Sequence, residues 1–401
     1  MSAPRLTGVN YWPASSAMRW WTRFDAVEVE RDFARIAAAG GRLVRFFLLW
    51  EDFQPRPTDV ARDALARLGT VADIAERAGV AIMPTLFTGH MSGANFIPEW
   101  ALGGRVPAGR FRVIAADRVA EREPRNWYAD EEITHAQALL ARECARTLTG
   151  HPALWGWDLG NENSNCCMPP SREAAKRWLG LIAGAIRGVD ASCHLTLGLH
   201  LEDLEEDRRL GPAEAAEVCD VLSMHGYPIY ARWSAGPMDD DFCAFLADIT
   251  RWLGGRDVLF AEFGAPTRSG DADAERHAGP MLLSEDDAAR YTASALSRLR
   301  DAGTLGGLVW CYADYARAIW HEPPLDRAPH ERHFGLWRAD GSEKPAVSAL
   351  ATSDVRRVTP LPSWSEAERE RYRRDPRKTL IELYAKFRAA RPATKMARAL
   401  L

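Results

Sequence analysis

Trp155-Gly-Trp-Asp-Leu-Gly-Asn-Glu-Asn-Ser-Asn165 decides both the fold and the site. It runs from an apolar, strand-like segment straight into an Asn-Glu pair where the strand should end. Gly156 and Gly160 permit close backbone packing, and a polar loop with Pro169 and Pro170 precedes the next helical stretch. A lone Asn-Glu would mean little. Its weight comes from a second strand-end carboxylate 100 residues downstream, in Val258-Leu-Phe-Ala-Glu-Phe-Gly264.

Outward from these two stretches, short apolar runs alternate with longer segments of helical periodicity from residue 6 to about residue 350. The strand candidates are Leu6–Asn10, Arg42–Leu49, Val80–Leu86, Ala153–Leu159, His194–Gly198, Val221–His225, Val258–Glu262 and Gly307–Trp310. Helices are expected over Glu28–Ala39, Ala61–Ala78, Glu132–Leu148, Ser171–Arg187, Asp239–Leu253 and Ser284–Asp301. Ser171 follows two prolines, Ser284 with Asp287 resembles a capping box, and Gly40, Gly79 and Gly303 stand where helices should stop. Eight such units favour a closed (β/α)8 barrel over residues 1–353, and no G-x-G-x-x-G follows the first strand to argue for a dinucleotide fold. In such a barrel the residues at strand ends line the working face.

Two connections are too long for turns, Phe87 to Asp130 and Tyr312 to Gly341, and both should overhang that face. They carry Phe96, Trp100, Trp127, Tyr128, Trp320 and Trp337, which join Trp12, Trp20 and Trp21 after the first strand. Such rings can stack on sugars or simply pack the insertions against the barrel. Residues 354–401 differ in character, with 13 Lys/Arg against 6 Asp/Glu. Ser365 and Glu368 form a capping-box pattern, and Asp375-Pro376 opens a helix with Leu380, Leu383, Tyr384 and Phe387 on one face. That face should dock on the barrel exterior or on a second subunit.

The 401 residues carry 51 basic and 55 acidic side chains, a formal net charge of −4. That balance supplies no general basic field for nucleic acid and no polybasic membrane anchor. The N-terminus lacks a secretion-signal pattern, no apolar run approaches a membrane span, and the seven cysteines are scattered without C-x-x-C spacing. These features together suggest a cytoplasmic protein. Neither a metal nor a cofactor is expected, since no H-x-H or H-E-x-x-H spacing occurs.

Two carboxylates at strand ends on one barrel face can divide the work of cleaving a glycosidic bond, one attacking the anomeric carbon and the other protonating the leaving oxygen. Their surroundings fit that work. Arg45, in Leu43-Val-Arg-Phe-Phe-Leu-Leu49, points by alternation into the barrel, where a cation needs a carboxylate partner; Glu262 is the natural one and would be kept ionised. A structural ion pair lower in the barrel is the alternative. His225 and Tyr227 leave the sixth strand together, and Tyr227 can donate to a Glu262 oxygen. Trp310 ends the eighth strand as a platform for a sugar, and Asn161 can bond a sugar 2-hydroxyl. His90 ends the third strand and could orient the sugar or Asn161.

Gly8-Val-Asn-Tyr-Trp-Pro13, Arg45, His90, Leu159-Gly-Asn-Glu162, His225-Gly-Tyr227, Ala261-Glu-Phe-Gly264 and Trp310 occur in the order seen in glycoside hydrolase family 5 of clan A, the cellulase and mannanase family, which the chain resembles over residues 6–350. The resemblance implies that Glu162 is the acid/base and Glu262 the nucleophile, with carboxyls about 5–5.5 Å apart and retained anomeric configuration. Asn10 and Trp12, from the first of those motifs, and Trp100 and Trp320, from the long connections, are further candidates for substrate binding. Two departures stand out. His90 lies in Thr-Gly-His-Met rather than a His-Asn context, and Asn163-Ser-Asn-Cys-Cys167 holds no aromatic for a leaving group.

Asn10-Tyr-Trp-Pro13 and the run Arg45 to Pro55 look similar to members acting on β-mannosides, including exo-acting β-mannosidases. The expected substrate is therefore a small β-mannoside oligosaccharide. An endo-β-1,4-mannanase, a β-glucosidase or endo-β-1,4-glucanase, a metal-dependent barrel hydrolase and a non-catalytic sugar-binding barrel are the rival readings.

Overall fold

The computed structural model describes residues 5–105, 109–351 and 363–390. Eight parallel strands close into a barrel: β1 (Gly8–Tyr11), β2 (Leu43–Leu49), β3 (Ala81–Thr88), β4 (Gly156–Asn161), β5 (His194–His200), β6 (Leu222–His225), β7 (Val258–Phe263) and β8 (Gly306–Val309), with β8 paired to β1. The fold is thus the expected (β/α)8 barrel. Every residue of β2, β4, β6 and β7 is buried, as a sheet covered on both faces demands, which explains the near-continuous apolar runs. Inside the barrel, Leu43, Met83, Leu259, Ala261 and Leu308 cluster one layer below Arg45.

The main helices are α1 (Ala26–Ala38), α2 (Arg62–Ala78), α3 (Glu131–Leu148), α4 (Arg172–Arg187), α5 (Asp240–Gly254) and α6 (Glu285–Asp301). Side-chain caps start several of them: Asp25, Asp130, Ser171 and Ser284 each accept a first-turn N–H. Between β5 and β6 the covering layer shrinks to two short helices, Leu201–Glu205 and Pro212–Ala215.

The described part of the C-terminal stretch fills in beside this thin sector. Two helices, α7 (Glu366–Arg374) and α8 (Pro376–Ala389), pack there; Ser365 and Glu368 form the capping box, and α8 opens on Asp375 and Pro376. Leu380, Leu383, Tyr384 and Phe387 are all buried, with the Tyr384 and Phe387 rings 4.9 and 5.4 Å from Phe245 of α5. Tyr372 donates to the Leu204 carbonyl at 2.6 Å and Tyr384 to Asp239 at 2.6 Å. Residues 354–362 and 391–401, which carry part of the basic surplus, lie outside the described residues.

The connection after β3 builds small sheets of its own. His90–Met91, Ala94–Phe96, Arg112–Ala115 and Arg118–Ala120 form a four-stranded sheet, and Leu102–Arg105 pairs with Arg122–Pro124. The connection after β8 is irregular, with 3-10 turns at Arg317–Ile319 and Pro329–His333. Among the described residues, no helix is long and apolar enough to cross a membrane.

Candidate active site

Arg45 organises the site. Its guanidinium is fully buried and reaches Asp158 through Nε (2.9 Å) and Nη2 (2.6 Å), Glu262 through Nη1 (2.5 Å), Asn10 through Nη1 (3.0 Å) and Asn161 through Nη2 (2.7 Å). The strand register explains this convergence: Asn10 lies opposite Arg45 across β1 and β2, and His225 opposite Glu262 across β6 and β7. Room for it comes from Gly198 on β5, where a Cβ would meet the Gly160 carbonyl at 2.7 Å and both Arg45 and His225 at 3.0 Å.

Above Arg45 stand the two carboxylates. Glu162 ends β4 in the left-handed region (φ 47, ψ 45), a costly conformation for a residue with a Cβ and one that gathers at functional sites. Its backbone N–H donates to the Gly198 carbonyl at 2.9 Å. Gly160 is required just before it, because a Cβ there would lie 2.4 Å from the Asn163 side chain. The imidazole Nδ1 of His225 bridges the pair, 3.1 Å from Glu162 Oε1 and 3.4 Å from Glu262 Oε1, and one oxygen from each carboxylate lies within 4.8 Å of the other and of His225. Tyr227 donates to Glu262 Oε2 at 2.8 Å. Both oxygens of Glu262 are therefore held by donors, Arg45 on one and Tyr227 on the other, which fixes its orientation.

Glu162 is held differently. Asn165 Nδ2 donates to its Oε2 at 3.1 Å, and Asn165 Oδ1 in turn accepts from Arg208 at 3.0 Å. His90 Nε2 lies 3.8 Å from the same oxygen. Burial pushes the Glu162 carboxyl up, but the positive charge of His200 and the hydrogen bond from His225 outweigh it and hold it well below the usual carboxylate range. His200, at the end of β5, shows the reciprocal effect. Burial lowers it, yet the charges of Asp203 and Glu162 raise it further, to about 10.

Both carboxylates open onto a cleft of about 460 Å³. His90, Asn161, Glu162, His225, Tyr227, Glu262 and Trp310 all line it, so the structure brings these expected residues together. Asn161 also holds His90, donating to its carbonyl at 2.9 Å, which leaves the second amide hydrogen for a ligand. Arg45 lies one layer down.

Four of the expected substrate-binding residues are not on the cleft wall. Asn10 is fully buried and donates to the Ala261 carbonyl at 2.8 Å, so it braces Arg45 from below. Trp12 is fully buried and stacked on Phe47 at 5.0 Å, and Phe47 in turn meets Trp310 edge-on at 5.8 Å; Trp12 supports the platform rather than forming it. Trp100 donates to the Gln54 carbonyl at 2.9 Å and faces a separate hollow with Arg19, Glu51, Asp52 and Asp117. Trp320 donates to the Tyr315 carbonyl at 2.8 Å and packs under Arg332. Phe96, Trp127, Tyr128 and Trp337 are buried as packing for the insertions. Burial of apolar area inside long loops outweighed the sugar-stacking reading for these rings.

Several site residues were not singled out from sequence. Asp158 was the most legible, since a lone acid between Trp157 and Leu159 in a buried strand needs the cation that Arg45 supplies. Glu331 had no such signal. It is buried in the loop after β8, where it accepts from Trp310 Nε1 (3.3 Å), Ser92 Oγ (3.0 Å) and Tyr230 (3.1 Å). Cys166 and Cys167 flank the site, and burial pushes both thiols up, so neither is an activated nucleophile.

No protein-family model matches the chain. A rice protein (Oryza sativa subsp. japonica) provisionally named mannan endo-1,4-beta-mannosidase 5 is 26% identical over 343 residues, covering 76% of this chain and 66% of its own. Among solved structures, an exo-beta-1,4-mannosidase from Opitutaceae bacterium strain TAV5 is 26% identical with a TM-score of 0.70, over 94% of this chain and 60% of that one. The chain thus spans less than two thirds of the length of either. A GH5_18 protein from Streptomyces cattleya, solved with Manb1-4GlcNAc bound, shares the fold at 22% identity and a TM-score of 0.76, over 96% of this chain and 92% of that one. Barrel, strand-end residues in matching order and these likenesses together make the chain similar to glycoside hydrolases of family 5, and among them to mannosidase-type members.

Proposed function

We propose that the protein is a retaining glycoside hydrolase that cleaves β-mannosidic linkages in small oligosaccharides, acting from the end of the chain. The observation that carries this reading is the Glu162–Glu262 pair, with oxygens within 4.8 Å across His225. So close an approach suits direct attack by one carboxylate, as in a retaining pair, whose carboxyl groups lie about 5–5.5 Å apart.

Glu262, oriented by Arg45 and Tyr227, attacks the anomeric carbon. Glu162 gives a proton to the leaving oxygen and then takes one from the water that releases the sugar. In the free site Glu162 is ionised, the form suited to the second step. The first step needs a proton on it, so its carboxyl must rise when substrate fills the cleft and displaces the donors that hold it ionised.

Exo action is supported by a tie between the two long insertions at the cleft wall, from Ser92 to Glu331 at 3.0 Å. The β-mannoside assignment is supported by the mannosidase names of the relatives at 26% identity. Product analysis after incubation with β-1,4-mannobiose to mannohexaose, mannosyl-β-1,4-N-acetylglucosamine and the cello-oligosaccharides tests the proposal. Mannose alone is the expected product. Mixed short oligomers would mean endo action, and turnover of the cello series alone would overturn the mannoside assignment.

A further inference from the structure

The loop after Glu162 offers no aromatic surface, yet the wall on the Glu162 side of the cleft has one, supplied by a distant segment. Phe111, in the insertion after β3, lines the cleft with its ring 4.4 Å from that of His90, and His90 Nε2 is 3.8 Å from Glu162 Oε2. Arg110 lies over the Phe111 ring at 4.7 Å and forms a two-pronged pair with Glu202 at 2.7 and 2.5 Å. Across the same mouth, Glu205 accepts from Trp233 at 2.5 Å and pairs with Arg377 at 3.2 Å. Arg377 belongs to α8, so the C-terminal helix reaches the cleft itself.

We propose that Phe111, flanked by Arg110 and Arg377, seats the sugar ring that departs with the leaving oxygen, which makes α8 part of the substrate site. This rests on reading Glu162 as the acid, because the ring attached to the oxygen it protonates must lie beside it and His90. The chemistry suits a pyranose. An aromatic ring meets its C–H surface, while two guanidinium groups and two carboxylates face its hydroxyls and ring substituents. It also accounts for the docking of α7 and α8 where the barrel's own helical layer is thin, since that position carries Arg377 to the rim.

The test compares kcat/KM for a disaccharide, the better of β-1,4-mannobiose and mannosyl-β-1,4-N-acetylglucosamine, with kcat/KM for β-mannosyl fluoride, which departs without a ring and needs no acid. Phe111→Ala should lower the disaccharide-to-fluoride ratio about tenfold, or about 1.4 kcal/mol. Phe111→Trp should hold the ratio within about twofold of wild type, and Arg377→Ala, on an exposed side chain that cannot unfold the barrel, should lower it about threefold. Fluoride turnover reports that each variant is folded. If the wild type cleaves both substrates and the ratio is unchanged in Phe111→Ala and Arg377→Ala, the subsite is wrong while the hydrolase reading stands. If the wild type cleaves neither, the β-mannosidase reading fails and the subsite proposal with it.

Discussion

Replacing Arg45 with Met should cost far more than a hydrogen-bond count suggests, and part of the cost should be reversible by a second change. Arg45 donates five hydrogen bonds to four residues with no solvent contact. Met fills similar space but leaves Asp158, fully buried, and Glu262, 4% exposed, as uncompensated charges. Breaking a buried pair in this way costs about 3–5 kcal/mol, a large share of a typical stability of about 5–15 kcal/mol. At a urea slope of about 3 kcal/mol/M the midpoint should fall by about 1 M or more. Adding Asp158→Asn in the Arg45→Met background removes one orphaned charge at nearly constant shape and should restore about 2 kcal/mol, although Asp158→Asn alone is destabilising. The assay is urea unfolding followed by fluorescence for wild type, both singles and the double. A fall of under about 0.3 M in Arg45→Met, or a double variant less stable than Arg45→Met, would refute the argument that charge burial governs this site.

Asp52 offers a pH test away from the cleft. Burial, aided by the charge of Glu51, pushes its carboxyl up to about 7. A raised acid contributes its stability below the unfolded value of about 3.9 and loses it as pH rises through about 7, so Asp52→Asn should raise the melting temperature at pH 8 and not at pH 4. An equal gain at both would contradict the sign. For the reaction, Glu262→Ala should lose nearly all turnover, whereas Glu162→Ala should be rescued by azide on activated aryl mannosides, giving a glycosyl azide of retained configuration. Wild-type rates for Glu162→Ala on unactivated substrates would dismiss it as the acid. Chelator should leave turnover unchanged, because Arg45 and Tyr227 already occupy both Glu262 oxygens; loss of activity restored by a divalent ion would revive the metal-dependent reading.

By itself the sequence determined the barrel, its two strand-end carboxylates and the residues that hold them. Those features obey local rules: a period of two in β2 turns Arg45 inward with Leu43 and Phe47, and the ends of parallel strands share one face. A buried Arg also announces that an acid must meet it, which made its pairing with Glu262 readable even though Asp158 went unnoticed. Only the tertiary structure decided which aromatics reach the cleft. Trp12 follows the first strand and Trp100 and Trp320 lie in the two long connections, yet each is taken up by a neighbour, Phe47, the Gln54 carbonyl or Arg332. Phe111 and Glu331, from those same connections, and Arg377, from a terminal helix, reach the cleft instead. Their positions depend on contacts between segments far apart in the chain, and no periodicity encodes those. Strand alternation fixes a side chain's direction within its own element, whereas loops and appended helices take theirs from whatever apolar surface and ion pairs remain once the barrel has closed.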